Sequence, residues 1–338
     1  VIDPRDIVAA EHADDLVESG QPEWVDPMLA TLTDERFSDP DWIFERKLDG
    51  ERCIAYRSGS DTRLVSRNRK DIGTFYPELQ EALASQAEDD FVVDGEIVAF
   101  SGGVTSFERL AGRMHLVSDD PVSDTGVAVY YYLFDIVHLN GFDVSGLPLR
   151  ERKRLLRRAI DFADPLRFAV HRNTRGEEFY EEACRKGWEG VIAKDATSPY
   201  VHGRSKKWLK FKCVLQQELV VGGFTDPRRS RVGFGALLLG YHDDGDFVYA
   251  GKVGTGFDDT TLERLRGKLD RIERSSSPFD RGEAPEGRHV HYVTPRLVAE
   301  IGFAEWTSAG HLRHPRFLGL RDDKDAGEVV REKPEGAS

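Results

Sequence analysis

Residues 127–137, Val-Ala-Val-Tyr-Tyr-Tyr-Leu-Phe-Asp-Ile-Val, are apolar or aromatic almost without a break. Their β-branched and aromatic content favours a strand, and the lack of alternation predicts burial on both faces. Such a strand needs a covering layer on each side, which places it at the centre of a sheet. Other β-prone runs recur around it: Trp42–Phe44, Cys53–Tyr56, Arg63–Ser66, Phe91–Phe100, Gly190–Lys194 and Trp208–Lys212. In the last of these, Leu209 and Phe211 alternate with Lys210 and Lys212, so the two lysines share a face. Asp49-Gly50, between the first two runs, favours a tight hairpin turn. Helical spacing marks Pro77–Ala84, about Ser106–Arg113, Leu147–Ile160 and Glu177–Lys186.

After Gln216-Gln217 the pattern changes. Short strands at Glu218–Phe224, Ala236–Tyr241, Phe247–Val253 and Leu297–Trp306 are separated by Gly-rich turns. One helix among them is announced by a Thr260-x-x-Glu263 capping box. This suits a small β-barrel of the OB type. A chain of 338 residues has two domains as its prior, and the boundary falls near Val214–Glu218. The expected organisation is α+β, with residues 1–24 an acidic arm or linker, 25–215 a first domain and 216–338 a second.

Composition narrows the classes. With 39% hydrophobic and 32% charged residues the chain can bury a core, and no apolar run reaches membrane-spanning length. A net charge of −13 argues against nonspecific coating of nucleic acid, although a local basic face remains open. Two basic clusters exist. Arg150, Arg152, Lys153, Arg154, Arg157 and Arg158 read as the solvated face of a helix whose apolar side is Leu155, Leu156 and Ile160. Arg204, Lys206, Lys207, Lys210 and Lys212 sit among aromatics. Cys53, Cys184 and Cys213 form no C-x-x-C pair and no disulfide framework, so a reducing cytoplasm and no structural zinc are expected. The pairs His289/His291 and His311/His314 lack further ligands at metal spacing.

Taken in order, six segments form a set: Lys47-Leu48-Asp49-Gly50, Ser66-Arg67-Asn68, Asp94-Gly95-Glu96, Tyr132-Leu133-Phe134-Asp135, Glu189-Gly190-Val191-Ile192-Ala193-Lys194 and Trp208-Leu209-Lys210-Phe211-Lys212. Together they resemble the ordered motifs of the covalent nucleotidyltransferases, which comprise DNA ligases, RNA ligases and mRNA capping enzymes. Six in order are specific where any one is weak. Phe107-Glu108-Arg109-Leu110-x-x-Arg113, Gly251–Phe257, His314-Pro315-Arg316-Phe317 and Arg321-Asp322-Asp323-Lys324 narrow the resemblance to ATP-dependent DNA ligases of the bacterial end-joining type.

That resemblance implies a reaction. Lys47 attacks the α-phosphorus of ATP, pyrophosphate leaves, and AMP stays on the lysine. AMP then passes to the 5′-phosphate of a DNA break, and the 3′-hydroxyl displaces it. An ordinary lysine has a pKa of about 10.4, so Arg52, Lys194, Lys210 and Lys212, with a divalent metal, are expected to favour the neutral amine. Asp49 fixes the turn and the surroundings of the lysine. By the family pattern Lys210 and Lys212 stand at the α-phosphate, while Arg321 and Lys324 close over the pyrophosphate. Glu45 meets the adenine edge, and Arg67 and Glu96 reach the ribose hydroxyls. Phe134 stacks on adenine or is a core phenylalanine; Arg204 contacts nucleotide or is a surface charge. Glu189 and Glu96 are the metal candidates, since Mg²⁺ (or Mn²⁺) takes one or two carboxylates plus phosphate oxygens.

The 46 residues before Lys47 are too few for the helical DNA-binding domain of large ligases. The segments that recognise nicotinamide and hold zinc in NAD-dependent ligases are missing too. The resemblance is therefore to a minimal two-domain ligase, free-standing or cut from a larger repair protein. Its implied partners are nicked or broken duplex DNA, a Ku-type end-binding protein and a repair polymerase. A monomer in the cytoplasm, beside the nucleoid, is expected. Two rival readings stay open: an RNA ligase or GTP-using capping-type enzyme, and a nucleic-acid-binding scaffold with an inactive core.

Overall fold

The computed structural model describes residues 1–114, 126–213, 215–227 and 231–333, and the chain divides into two units, Val1–Cys213 and Val214–Glu332. The first unit opens with β1 (Val17–Glu18), β2 (Met28–Leu32), β3 (Trp42–Lys47), β4 (Glu51–Ser58) and β5 (Asp61–Ser66). Then come α1 (Pro77–Ala84), β6 (Asp90–Ser101), β7 (Val104–Thr105), α2 (Phe107–Met114), β8 (Val129–Leu139) and β9 (Phe142–Asp143). It closes with α3 (Leu149–Ala159), β10 (Leu166–Phe168), β11 (His171–Asn173), α4 (Gly176–Arg185), β12 (Gly190–Asp195) and β13 (Gly203–Lys212).

Among the described residues these strands make two sheets. One runs β1-β9-β8-β6-β4-β5, with β10 beside β8 and β7 beside β6; the other runs β11-β3-β12-β13-β2. As the unbroken apolar run predicts, β8 is central, and every residue from Leu133 to Leu139 is buried. Its Leu133, Ile136 and Leu139 share a core with Leu79 and Leu83 of α1, Phe107 and Leu110 of α2, and Leu155 and Leu156 of α3. On the other face Phe134 and Val137 meet Ile54, Tyr56, Val92 and, from the second sheet, Trp208. Behind the second sheet, Phe179 and Ala183 of α4 pack on Phe44, Val191 and Phe211. The two sheets thus face each other, and each has helices on its outer side.

Three local expectations change. Asp49-Gly50 does not close a hairpin, because β3 pairs with β11 and β12 whereas β4 pairs with β5 and β6. The dipeptide is a crossover between sheets, and glycine is required there because a Cβ on Gly50 would lie 2.1 Å from the Ile97 carbonyl oxygen. The first 24 residues, expected as an arm or linker, are packed. They contain short 3-10 turns at Pro4–Asp6 and Ala10–Asp15, and β1 pairs with β9. Val8 joins the main core, and the Ala9 amide donates to Glu151 Oε2 at 3.2 Å. Such short turns carry no periodicity to read. Finally, Cys184 and Cys213 are disulfide-bonded, with Cα atoms 5.1 Å apart, and Cys53 is the buried free thiol. Their separation of 29 residues hides the pairing, which forms because α4 folds back over β12 and β13.

The second unit holds β14 (Leu215–Thr225), β15 (Leu237–Asp243), β16 (Asp246–Val253), α5 (Asp259–Asp270), β17 (Glu273–Arg274), β18 (Val290–Val293) and β19 (Val298–Phe303). β20 (Glu305–Trp306), β21 (Leu312–Arg313) and β22 (Arg316–Leu320) complete it. β14 is its axis. One edge pairs with β15, and the other pairs first with β19 and then with β18, all antiparallel. Leu262, Leu265 and Leu269 of α5 fill the core beside Phe224 and Phe234. The cap of α5 is Asp258, whose Oδ1 accepts from the Thr261 amide at 2.7 Å, two residues ahead of the expected Thr260.

Candidate active site

The cleft between the two sheets of the first unit is laid out by the register of β12. Gly190 pairs with Lys47 on one side and Lys212 on the other; Ile192 pairs with Glu45 and Lys210, and Lys194 with Ile43 and Trp208. Directly paired residues share a sheet face. Lys47, Glu45, Lys194, Lys210, Lys212 and Trp208 therefore all point toward the cleft, while Phe44, Val191 and Phe211 point toward α4. Gly190 has φ +155°, and a Cβ there would meet the Phe211 carbonyl oxygen at 2.0 Å. The position between the two lysines therefore calls for glycine.

Lys47 donates to Glu189 Oε1. Burial pushes this amine's pKa down, but the Glu189 carboxylate, with Asp49 and Glu96 beyond it, outweighs burial and holds the pKa above its ordinary value. This reverses the expectation of a neutral amine: the nearest charge to Lys47 is an anion. The other carboxylate oxygen, Glu189 Oε2, is buried with no hydrogen-bond partner among the described residues. A desolvated, unmatched carboxylate oxygen suits a hard cation, and Mg²⁺ needs only one or two such groups when phosphate completes its shell. Among the described residues no group of three or more potential ligands is assembled.

The first sheet supplies the opposite wall. Arg52, paired in register with Glu96, is held bidentate by Asp94 with both contacts at 2.6 Å, and by the Met28 carbonyl at 3.1 Å. Tyr200 donates to the same Asp94 at 2.6 Å. The Arg52 guanidinium lies 4.6 Å from the centre of the Phe134 ring. Phe134 is 8% exposed and belongs to the core, edge-on to Trp208 at 5.9 Å. Arg67 follows β5 directly and is half-buried; Arg204 is exposed and donates to the Ala30 carbonyl at 2.9 Å.

Further along the same face of β3 and β12 sits a buried triad. Glu45 is flanked by Lys153, which donates to Oε1 at 2.5 Å, and by Lys194, whose Nζ is 2.7 Å from Oε2 without hydrogen-bond alignment. Burial pushes the Glu45 carboxyl up, yet the two lysines hold it below its ordinary range. Burial brings Lys194 down to about 8 against the pull of Glu45. Its ammonium stands 4.1 Å from the Phe134 ring centre and 4.0 Å from that of Trp208. Across β3 from Glu45 is His171, brought down to about 4 by burial and by Lys153, with Nδ1 buried and unmatched among the described residues.

Lys153 and His171 are additions that sequence reasoning missed. The basic run of α3 is not simply a solvated face: Arg152 is fully buried on Asp135, with contacts of 2.7 and 2.9 Å, and Lys153 is 4% exposed. A signal did exist, because buried carboxylates at 45 and 135 demand cations, but nothing local names which ones.

In the second unit Arg321 is buried, bidentate to Asp323 at 2.8 Å and 3.2 Å from Glu300. Lys324 lies 3.0 Å from Glu218. These two residues, expected over the pyrophosphate, are committed to ion pairs inside their own unit.

Comparison with known proteins gives the same family at every level. Residues 27–212 match the ATP dependent DNA ligase domain, and residues 230–324 match the ATP dependent DNA ligase C terminal region. The chain is 36% identical over 322 residues to the multifunctional non-homologous end joining protein LigD of Pseudomonas aeruginosa, covering 93% of this chain and 37% of that protein. It is 36% identical over 313 residues to the LigD of Mycobacterium tuberculosis, covering 90% and 40%. It thus spans about two fifths of these curated relatives. Among solved structures it is similar to mycobacterial DNA ligase D complexed with ATP and MES, with a TM-score of 0.66 and 33% identity, covering 91% of this chain and 98% of that one.

Proposed function

The chain belongs to the ATP-dependent DNA ligase family, and on that premise we propose that it charges Lys47 with AMP from ATP and seals DNA strand breaks in end joining. Its fold is the family's α+β arrangement, a nucleotidyltransferase unit followed by an OB-fold unit. The observation that carries the reading is the row Lys47, Gly190, Lys212, with Lys210 one pair further along. It sets a nucleophile beside two cations, with a glycine between them.

In this reading Lys210 and Lys212 neutralise the α-phosphate and orient it toward Lys47. The Lys47 nitrogen forms a bond to the α-phosphorus as the bond to the bridging oxygen of the β-phosphate breaks. Pyrophosphate leaves, and the amine proton is lost to solvent. Glu189 controls that proton: while its carboxylate holds the ammonium, the amine is not a nucleophile. Glu189 and Glu96, together with phosphate oxygens, would hold a divalent cation, which would supply neutralising charge there. Arg67 and Glu96 serve the ribose, Glu45 the adenine edge and Phe134 its face, while Arg204 adds a phosphate contact. Arg321 and Lys324 act on the pyrophosphate once released from their internal pairs.

Duplex DNA is then the acceptor, with a Ku-type clamp and a repair polymerase as partners in the cytoplasm. The test is incubation with Mg²⁺ and α-labelled ATP or GTP, with Lys47→Ala alongside, then a chase with nicked DNA or RNA. Label from ATP that is absent in the variant and lost to sealed DNA supports the proposal. Label from GTP, or transfer to RNA alone, refutes it in favour of a sister family, and no label refutes the enzyme.

A further inference from the structure

We propose that Lys153 sets the nucleobase choice of this site, by fixing the Glu45 carboxylate where the exocyclic amine of adenine must donate to it. The inference rests on the cleft being the ATP site.

Lys153 reaches the cleft floor from α3 and is saturated there. Its ammonium has three N–H bonds. They go to Glu45 Oε1 at 2.5 Å, the Ala169 carbonyl at 3.2 Å and the Phe134 carbonyl at 3.4 Å. The Phe168 ring covers it at 4.6 Å. With no donor left over, Lys153 does not bind nucleotide. It joins three pieces of chain instead: β3 through Glu45, β8 through Phe134, and the residue two before β11. It is a positioning residue, and what it positions is the pair that reads the base, one by its edge and one by its face.

Glu45 has one carboxylate oxygen pinned by Lys153 and the other drawn toward Lys194. Each carboxylate oxygen carries two acceptor sites, so the contacts to Lys153 and Lys194 leave acceptor capacity on Glu45. An acceptor at that place takes the adenine amine. It repels the carbonyl oxygen that guanine presents at the same ring position, because neither group brings a proton. Without Lys153, Glu45 has only Lys194 to turn to, and the carboxylate swings toward the Phe134–Trp208 side and away from the base. The structure therefore ties ATP preference to a side chain that never touches ATP.

The experiment measures AMP-type charging of Lys47 with ATP, GTP and purine riboside triphosphate, which lacks the exocyclic amine, for wild type, Lys153→Met and Lys153→Arg. Thermal melting is recorded for each. The wild type is expected to favour ATP over the amine-free analogue by roughly tenfold or more. Lys153→Met should collapse that ratio toward one, chiefly through the KM for ATP, and Lys153→Arg should restore part of it. Lys153→Gln leaves Glu45 in place and keeps a shorter donor beneath it, so the ratio can be read there if Lys153→Met melts early, and it is expected between that variant and wild type.

Equal loss on ATP and on the analogue would reduce Lys153 to a structural staple and overturn the proposal, as would a wild type that does not discriminate between them. A wild type that takes no nucleotide at all overturns the ligase reading beneath it, and the two failures are thereby distinct.

Discussion

Lys47, half-buried, forms an ion pair with the buried Glu189, so the carboxylate proposed to hold the metal keeps the pKa of the proposed nucleophile above its ordinary value. The direction of control has a direct readout, because acylating reagents attack only the neutral amine. In metal-free wild type, Lys47 should resist acylation until the pH is high. In Glu189→Gln the main raising partner is gone while burial still pushes the amine down, so the midpoint should move to lower pH, by about one unit or more. Peptide mapping by mass spectrometry follows it. Coincident pH profiles in the two proteins would remove Glu189 from control of the proton.

Gly190 provides the second test. Gly190→Ala places a Cβ 2.0 Å from the Phe211 carbonyl oxygen on a backbone with φ +155°. It should cost about 2–4 kcal/mol in urea unfolding of the first unit and abolish charging of Lys47. Gly112→Ala in α2, where nothing lies within 4 Å, should be neutral or stabilise by about 0.5–1 kcal/mol. Equal effects of the two variants would contradict this packing.

Arg152 and Asp135 are both fully buried. Removing one member leaves an uncompensated charge, so Arg152→Met should destabilise the first unit by about 3–5 kcal/mol. Arg152→Met/Asp135→Asn should recover a substantial part of that loss. A double variant as unstable as the single one would mean that Arg152 acts through packing rather than charge, and a double-mutant cycle in denaturant decides it.

The Cys184–Cys213 bond closes a loop with a sequence separation of 29 residues. Loop-closure entropy for that length is worth about 3–4 kcal/mol. Reductant, or Cys184→Ser, should lower the melting temperature of the first unit and leave that of the second unchanged. Identical melting curves with and without reductant would show that the bond does not form in solution.

Much of this architecture was legible where the signal is local. The apolar run of β8 and the alternation of β13 report burial within a few residues, and both strands lie as expected. What was not legible depends on distant partners. Asp49-Gly50 announces a reversal, but only the pairing of β4 with β6 decides that the strand leaves for the other sheet. The cations of α3 look solvated because Glu45, which buries Lys153, lies 108 residues away. The alternation of β13 put Lys210 and Lys212 on one face, as the register has them, yet the raised pKa of Lys47 follows from Glu189, 142 residues off. Electrostatics is set by three-dimensional neighbours, and motif order conveys who is present rather than who is nearest.

The register of β12 has one more consequence, for which changes this protein can accept. Gly190, Ile192 and Lys194 face the cleft only because they share a parity, and Val191 and Ala193 have the other. Deleting one residue between them would turn Lys194 into the apolar layer under α4 and push an alanine or valine toward the cleft. Deleting two would shorten the strand and keep the faces. This wall of the cleft is thus written in odd and even numbers, and it is closed to single-residue insertion or loss.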